Sequence, residues 1–328
     1  MLKHGGRLLE AAEHYKIPLE NWLDLSTGIN PNGYPIPNIP DEIWLRLPEE
    51  QDNLISAAQD YYQSSQLLPV AGSQAAIQTL PLLRKPGITG VLAPSYAEHA
   101  YAWQKAGHTL QTIDATEINQ KIQQLDNLIL VNPNNPSAQT FDKDQCLYWL
   151  NELNKRNGWL IIDEAFIDCT PELSLSSLSP RKGLIILRSI GKFFGLAGIR
   201  SGFVLAEAAI LDRLNEHLGP WALSNPSRFV TAHALQNTAW QQQTRQQLQQ
   251  QSQRLGELLS AHSLSPTGSN PLFQWVKTQQ ANVIHQALAE QGIFTRLFDQ
   301  PNSLRFGLAK TERDWKKLAV ALANISSY

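Results

Sequence analysis

From about residue 70 the chain alternates between short apolar runs closed by polar or turn residues and longer stretches with helical spacing. The runs cover 88–93, 128–132, 159–163, 184–189 and 202–205; helical spacing marks 73–84, 96–106 and 142–156. Unbroken apolar runs of this length suit strands buried on both faces, and their alternation with helices predicts a mainly parallel sheet covered by helices. The first 40 residues read differently. Asp24-Leu25-Ser26-Thr27-Gly28-Ile29-Asn30-Pro31 precedes prolines at 35, 37 and 40, a punctuation expected of an irregular, extended arm. After about residue 222 a long polar helix is expected over 227–260. Its glutamine-rich part, 241–253, reads as a solvated helix face, because Trp240, Leu248 and Leu255 recur near helical spacing. Strands at 273–276, 292–297 and 304–308 then suggest a smaller α+β domain. The expected organisation is an N-terminal arm (1–40), a large domain (41–222) and a small C-terminal domain (223–328).

Composition narrows the class. At 328 residues and 42% hydrophobic, the chain has an ordinary globular profile. With 27 basic and 29 acidic residues the net charge is −2, which argues against a nucleic-acid or anionic-membrane partner. Two cysteines, Cys146 and Cys169, form no C-x-x-C, so neither a disulfide framework nor a zinc module is expected. No signal core opens the chain and no apolar run approaches ~18 residues, which predicts a soluble, cytoplasmic protein.

Several phosphate and metal motifs fail on inspection. Gly191-Lys192 lacks the glycine five residues upstream (position 186 is Ile) and the following Ser/Thr (position 193 is Phe), so it is not a nucleotide phosphate loop. No G-x-G-x-x-G follows a strand, and the eight histidines show no metal-ligand spacing. Other strand ends carry candidate chemistry. Ser189 and Lys192 follow the 184–189 run, at the carboxyl end where open α/β sheets place ligands. Desolvation there would lower the lysine pKa and free its amine for a Schiff base. Arg200 could bring a fixed cation to a phosphate. Asp163 closes an apolar strand and needs a partner, whether a helix cap, an ion pair or a ligand. Asn135 sits between prolines at another strand end. Gly72-Ser73-Gln74 opens a helix whose free amides suit a phosphate, or simply a cap. Tyr96 follows a strand, where packing is the plainer role.

The order of these residues is more telling than any one of them. A phosphate-type helix start (Gly72, Ser73, Gln74), an aromatic (Tyr96), an asparagine (Asn135), an aspartate (Asp163), then Ser189-x-x-Lys192 and Arg200 resembles the pyridoxal 5'-phosphate enzymes of the aspartate-aminotransferase fold. Within these, His4-Gly5-Gly6, the Asp24–Pro31 segment, Asp163-Glu164-Ala165-Phe166-Ile167-Asp168 and the 187–198 segment are similar to the L-threonine O-phosphate decarboxylases of cobalamin biosynthesis, close relatives of histidinol-phosphate aminotransferase. The resemblance covers essentially the whole chain. It implies an α/β fold of the PLP-dependent transferase type, a large domain with a mainly parallel sheet plus a small α+β domain, and a homodimer.

The resemblance also implies roles. Lys192 would carry the cofactor and Asp163 would pair with its ring nitrogen. Asn135 would bond the ring hydroxyl, and the substrate carboxylate as well, while Tyr96 stacks on the ring. Gly72, Ser73, Gln74, Ser189 and Arg200 would surround the cofactor phosphate. His4, Gly5 and Gly28 would line the substrate pocket; Arg305 sits where the fold binds carboxylate, and Arg296 and His4 are candidates for the substrate phosphate. Two departures stand out. Phe166 replaces the tyrosine of related aminotransferases, and Leu47 in Arg46-Leu47-Pro48 replaces a tyrosine that reaches the neighbouring subunit's cofactor. The implied reaction is decarboxylation of L-threonine O-phosphate to (R)-1-amino-2-propanol O-phosphate. An aminotransferase acting on a phosphorylated substrate such as histidinol phosphate shares the same parts, and a non-catalytic protein that kept the fold is the alternative from another class.

Overall fold

The computed structural model describes residues 5–325, so His4 lies outside the described residues. The chain divides into two compact units, the larger comprising Tyr34–Asn135 and Gln139–Gln241. That unit is built on seven strands: β1 (Leu67–Val70), β2 (Ile88–Leu92), β3 (Thr109–Ile113), β4 (Asn127–Val131), β5 (Trp159–Asp163), β6 (Leu184–Ser189) and β7 (Gly202–Leu205). Their order across the sheet is β1-β7-β6-β5-β4-β2-β3. Only β7 is reversed, antiparallel to both β1 and β6; the remaining pairings are parallel.

The five apolar runs occupy the five interior positions, where every residue of β4 and β5 is buried. The edges carry weaker signals for a physical reason. β3 reads Thr-Leu-Gln-Thr-Ile with exposed threonines, as one solvated flank permits, and β1 carries Pro69, which an edge tolerates. The helices Ser73–Thr79, Ala97–Lys105 and Lys143–Asn154 follow β1, β2 and β4. The last opens with a reciprocal capping box: the Asp142 side chain accepts from Gln145 N–H at 2.8 Å, and Gln145 Oε1 accepts from Asp142 N–H at 3.1 Å.

Four expectations change. The first 40 residues are not uniformly irregular, since a helix forms over Leu8–Tyr15 and a strand over Leu23–Asp24. The single helix expected over 227–260 is two, Asn225–Gln236 and Thr238–Ala261. Asn237 leaves the helical region at φ −87°, ψ 76°, and its Oδ1 accepts from Trp240 N–H at 3.1 Å, capping the second helix. The first of the two is held to the larger unit by Arg228, which donates to both carboxylate oxygens of Asp52 at 2.6 and 2.8 Å, so that unit runs past 222 to 241. The 292–297 run also splits. Ile293–Phe294 pairs in parallel with Leu23–Asp24, while residues 296–298 join a different sheet.

The smaller unit comprises Met1–Gly33, Pro136–Ala138 and Gln242–Tyr328. Its four-stranded antiparallel sheet has β8 (Gly268–Asn270), β9 (Phe273–Lys277), β10 (Arg296–Phe298) and β11 (Ser303–Gly307) in the order β10-β11-β9-β8. Phe273 and Phe306 are fully buried in it. Among the described residues no helix is long and apolar enough to cross a membrane.

Candidate active site

The register of the central sheet brings the candidate residues of the larger unit to one end. Val131 lies beside Asp163, Asp163 beside Leu187, Ser189 beside Gly202, and Gly202 beside Val70. The carboxyl ends of β1, β4, β5 and β6 therefore deliver Gly72, Asn135, Asp163 and Lys192 to a common rim.

Asp163 is buried, and each of its carboxylate oxygens accepts a hydrogen bond. Its Oδ1 accepts from Ala165 N–H at 3.0 Å and its Oδ2 from His99 Nε2 at 2.9 Å. His99 lies one helical turn after Tyr96, on the helix that follows β2. A carboxylate that closes a buried strand needs such donors, because an unpaired charge there is costly.

Lys192 is half-buried on the loop after β6, and its Nζ stands 5.5 Å from the Phe166 ring centroid. The residues that follow it fix the loop. Phe193 and Phe194 are fully buried and pack on Trp240 at 5.5 and 5.6 Å, the second as a stacked pair. Ser189 Oγ accepts from Gly191 N–H at 3.3 Å.

The phosphate candidates form a cradle that depends on missing side chains. Gly72 has φ +74°, and a Cβ there would stand 2.6 Å from Arg200 Nη2. A Cβ on Gly202 would meet Ser73 N at 2.9 Å. Only glycines allow the helix start at Ser73, Arg200 and the end of β6 to approach one another. The Gln74 side chain is not turned to this cradle. Its Nε2 donates to Glu98 Oε2 at 2.9 Å and its Oε1 accepts from Tyr96 OH at 3.2 Å, so the residue offers the cradle its backbone N–H. Burial, then the charges of Asp163 and Glu98, pushes the Tyr96 phenol up to about 12.

In the loop after β4, Asn132 braces the loop itself and Asn134 ties it to the loop after β2. Asn132 exchanges hydrogen bonds with the backbone of Phe141, both at 3.0 Å. Asn134 donates to Pro94 O and accepts from Ser95 Oγ, both at 2.8 Å. Asn135 follows them, half-buried at the rim.

Behind the rim lies a buried ionic network that the sequence did not announce. Arg188 Nη1 donates to Glu164 Oε2 at 2.7 Å and Nη2 donates to Asp168 Oδ1. Tyr61 OH also donates to Asp168, at 3.0 Å, and Leu175 N–H to Glu164, at 2.8 Å. Burial alone would lower the Arg188 pKa, but Asp168 and Glu164 outweigh it and raise it. The network ties the residue after Asp163 to β6, the strand that ends at Ser189.

In the smaller unit Arg305 is buried and Arg296 is its direct cross-strand partner. Arg305 Nη2 donates to Ser26 O at 2.9 Å. Burial and the nearby Arg296 push Arg305 down to about 9. Gly5 packs against Ser26, where a Cβ would meet the carbonyl oxygen at 2.4 Å, and Gly28 is buried two residues further on.

The larger unit's residues fit pyridoxal 5'-phosphate: an aspartate with fixed orientation, an amine on a rigid loop, an aromatic, and an anion cradle that a single Cβ would fill. His99 and Glu98 are the parts that sequence reasoning missed. The available signal was spacing, since His99 recurs one turn after Tyr96.

Comparison with known proteins identifies the family. The profile described as aminotransferase class I and II matches residues 47–322. A threonine-phosphate decarboxylase from Pseudomonas aeruginosa is 51% identical over 98% of this chain and 97% of its own length. One from Sinorhizobium is 36% identical over 98% of each. The crystal structure of a histidinol-phosphate aminotransferase from Clostridium acetobutylicum shares the fold at TM-score 0.84, with 23% identity, covering 93% of this chain and 99% of that one. The chain belongs to the class I and II aminotransferase family, in its threonine-phosphate decarboxylase branch.

Proposed function

We propose that this chain is a pyridoxal 5'-phosphate enzyme that decarboxylates L-threonine O-phosphate to (R)-1-amino-2-propanol O-phosphate, for the nucleotide loop of cobalamin. The observation that carries the reading is the 51% identity, over 97% of its length, to a protein named threonine-phosphate decarboxylase. Lys192, Asp163, Asn135 and the Gly72–Arg200 cradle supply the chemistry such a reaction needs.

When bound, the cofactor supplies a conjugated acceptor for the electron pair left on Cα as carbon dioxide departs. Asp163 holds a proton on the ring nitrogen, and His99 with Ala165 N–H keeps its carboxylate aimed. Tyr96 covers the ring, and its bond to Gln74 limits its rotation. Asn135 donates to the ring hydroxyl oxygen and orients the substrate carboxylate. Gly72, Ser73, Gln74 (through its backbone), Ser189 and Arg200 hold the cofactor phosphate. Lys192, kept in place by Phe193 and Phe194, returns a proton to Cα. Phe166 offers an apolar face where aminotransferase relatives carry a hydroxyl.

Substrate recognition falls to the smaller unit. Arg305 takes the carboxylate, Arg296 and His4 take the phosphate monoester, and Gly5 and Gly28 shape the wall. Arginine suits both anions because its planar fork can pair with two oxygens.

The enzyme acts as a homodimer in the cytoplasm. Ile36, Trp44, Leu45, Leu47 and Trp221 are all exposed, and Ile36 and Trp44 border a cleft of about 700 Å³ together with Arg200. Exposed apolar clusters of this kind mark protein interfaces. Cys146 is a buried thiol, which suits a reducing compartment.

The test is product identification. Holoenzyme with L-threonine O-phosphate and no 2-oxo acid should accumulate 1-amino-2-propanol O-phosphate; recovery of unchanged substrate would contradict the reading.

A further inference from the structure

The segment that follows β2, residues 94–99, is tied to three other parts of the rim. Asn134, from the loop after β4, donates to Pro94 O and accepts from Ser95 Oγ, both at 2.8 Å. Asp163, at the end of β5, accepts from His99 Nε2 at 2.9 Å. Gln74, from the helix start after β1, reaches the two residues between these anchors. Its Oε1 accepts from Tyr96 OH at 3.2 Å, and its Nε2 donates to Glu98 Oε2 at 2.9 Å. Four strands separate β1 from β2 in the sheet, so side chains, not strand pairing, make this connection.

The bridge has a direction. A carboxylate accepts hydrogen bonds, so Glu98 takes the NH2 end of the Gln74 amide. The amide oxygen is thereby turned to Tyr96, whose hydroxyl donates to it. Burial, then the charges of Asp163 and Glu98, holds the phenol up at about 12, so it keeps the proton that it donates. Gln74, Tyr96 and Glu98 are all half-buried, where water competes less for such bonds than at an open surface. Without the carboxylate the amide is free to rotate by a half-turn, and an NH2 group facing the hydroxyl ends the bond as it stands. The hydroxyl end of Tyr96 is therefore pinned, through one amide, by Glu98.

We propose that Gln74 and Glu98 are positioning residues for Tyr96: Glu98 sets which way the Gln74 amide faces, and the amide oxygen holds the tyrosine ring in the attitude that it presents to bound pyridoxal 5'-phosphate. A ring already held in place loses little freedom when the cofactor binds, so the effect falls on cofactor affinity and on the asymmetry around the bound chromophore. This rests on the reading above that Tyr96 covers the cofactor ring.

In the test, holoenzyme is stripped of its cofactor and titrated back with pyridoxal 5'-phosphate. The readouts are Kd, the visible circular dichroism of the bound cofactor, and the denaturant midpoint of the full chain. Gln74→Leu should raise Kd about threefold to tenfold, the worth of one hydrogen bond, and weaken the visible dichroism. Tyr96→Phe, which keeps the ring and loses the hydroxyl, should do the same. Glu98→Ala should act in the same direction, and Glu98→Gln should restore wild-type Kd, since its amide oxygen still accepts. Should Gln74→Leu not fold, the Glu98→Ala and Glu98→Gln pair carries the same test. In a Tyr96→Phe background neither Gln74→Leu nor Glu98→Ala should raise Kd further. Full additivity in that background means that Gln74 and Glu98 act by another route, and overturns the proposal. A merely structural role would lower the denaturant midpoint with Kd and dichroism unmoved, and that result overturns it as well, leaving the cofactor reading in place. The underlying reading fails separately: if Tyr96→Ala binds the cofactor as tightly as wild type, or the wild-type chain takes up none, Tyr96 has no place on the ring and the proposal falls with it.

Discussion

His99 Nε2 donates to Asp163 Oδ2 across 2.9 Å, with both side chains 4% exposed. A hydrogen bond to a charged group in such surroundings contributes about 1.5–3 kcal/mol. Here it fixes the direction of the carboxylate on which the proposed electron sink depends. His99→Ala should therefore slow turnover roughly tenfold to a hundredfold while cofactor binding persists. Steady-state kinetics beside the visible absorbance of the purified variant would check both parts. Wild-type turnover in that variant would remove His99 from the account.

Asp163→Asn should have a larger effect. The neutral amide cannot hold the ring nitrogen protonated, and a loss of about 4 kcal/mol in transition-state stabilisation is about a thousandfold in rate. Lys192→Ala should abolish turnover, and the absorbance of the lysine-bound cofactor with it, while far-UV circular dichroism stays native. Less than a tenfold loss for Asp163→Asn, or near wild-type turnover for Lys192→Ala, contradicts the assigned roles.

The Arg188 network predicts a stability effect distinct from catalysis. Arg188→Met leaves Glu164 and Asp168, both fully buried, without their cation. Breaking a buried pair from one side costs about 3–5 kcal/mol. Denaturant unfolding should show a midpoint lowered accordingly, and Arg188→Lys should recover only part of it, since one ammonium cannot serve two carboxylates in the same geometry.

Tyr96 predicts a limit on the alkaline side. Its phenol stands at about 12 in the folded chain against 10.0 in the unfolded reference, so folding favours the neutral form. That contribution is complete below pH 10 and is lost as pH rises from 10 to about 12. Tyr96→Phe should flatten this part of the stability–pH curve measured by denaturant titration. An unchanged curve would show that Tyr96 ionises as freely as in the unfolded chain.

Much of the larger unit was legible because burial on both faces leaves an unambiguous mark. The runs ending at Asp163 and Ser189 are interior strands, and their ends carry the charged residues. The edge strand at Thr109–Ile113 was hidden by its solvated flank. The break at Asn237 was hidden because asparagine is compatible with a helix interior as well as a cap. His99 and the Arg188–Glu164–Asp168 network depend on contacts between residues 20 to 64 positions apart, which no local spacing encodes. Gln74 was placed at the right helix start, yet its side chain turned to Tyr96 and Glu98, a choice that only the neighbouring helix decides.

In the smaller unit Arg296 is expected to discriminate L-threonine O-phosphate from L-threonine. Arg296→Ala should raise KM for the phosphorylated substrate and hardly alter cofactor absorbance. Unchanged kinetics would mark Arg296 as an edge-strand surface residue with no part in recognition.

The central claim is the choice of bond broken at Cα, and one paired assay addresses it. Carbon dioxide release is measured from L-threonine O-phosphate alone, beside turnover of histidinol phosphate with 2-oxoglutarate. The site described here predicts sustained carbon dioxide release without any 2-oxo acid, and slower or no turnover in the second arm. Faster turnover of histidinol phosphate with 2-oxoglutarate would contradict it and make the protein an aminotransferase.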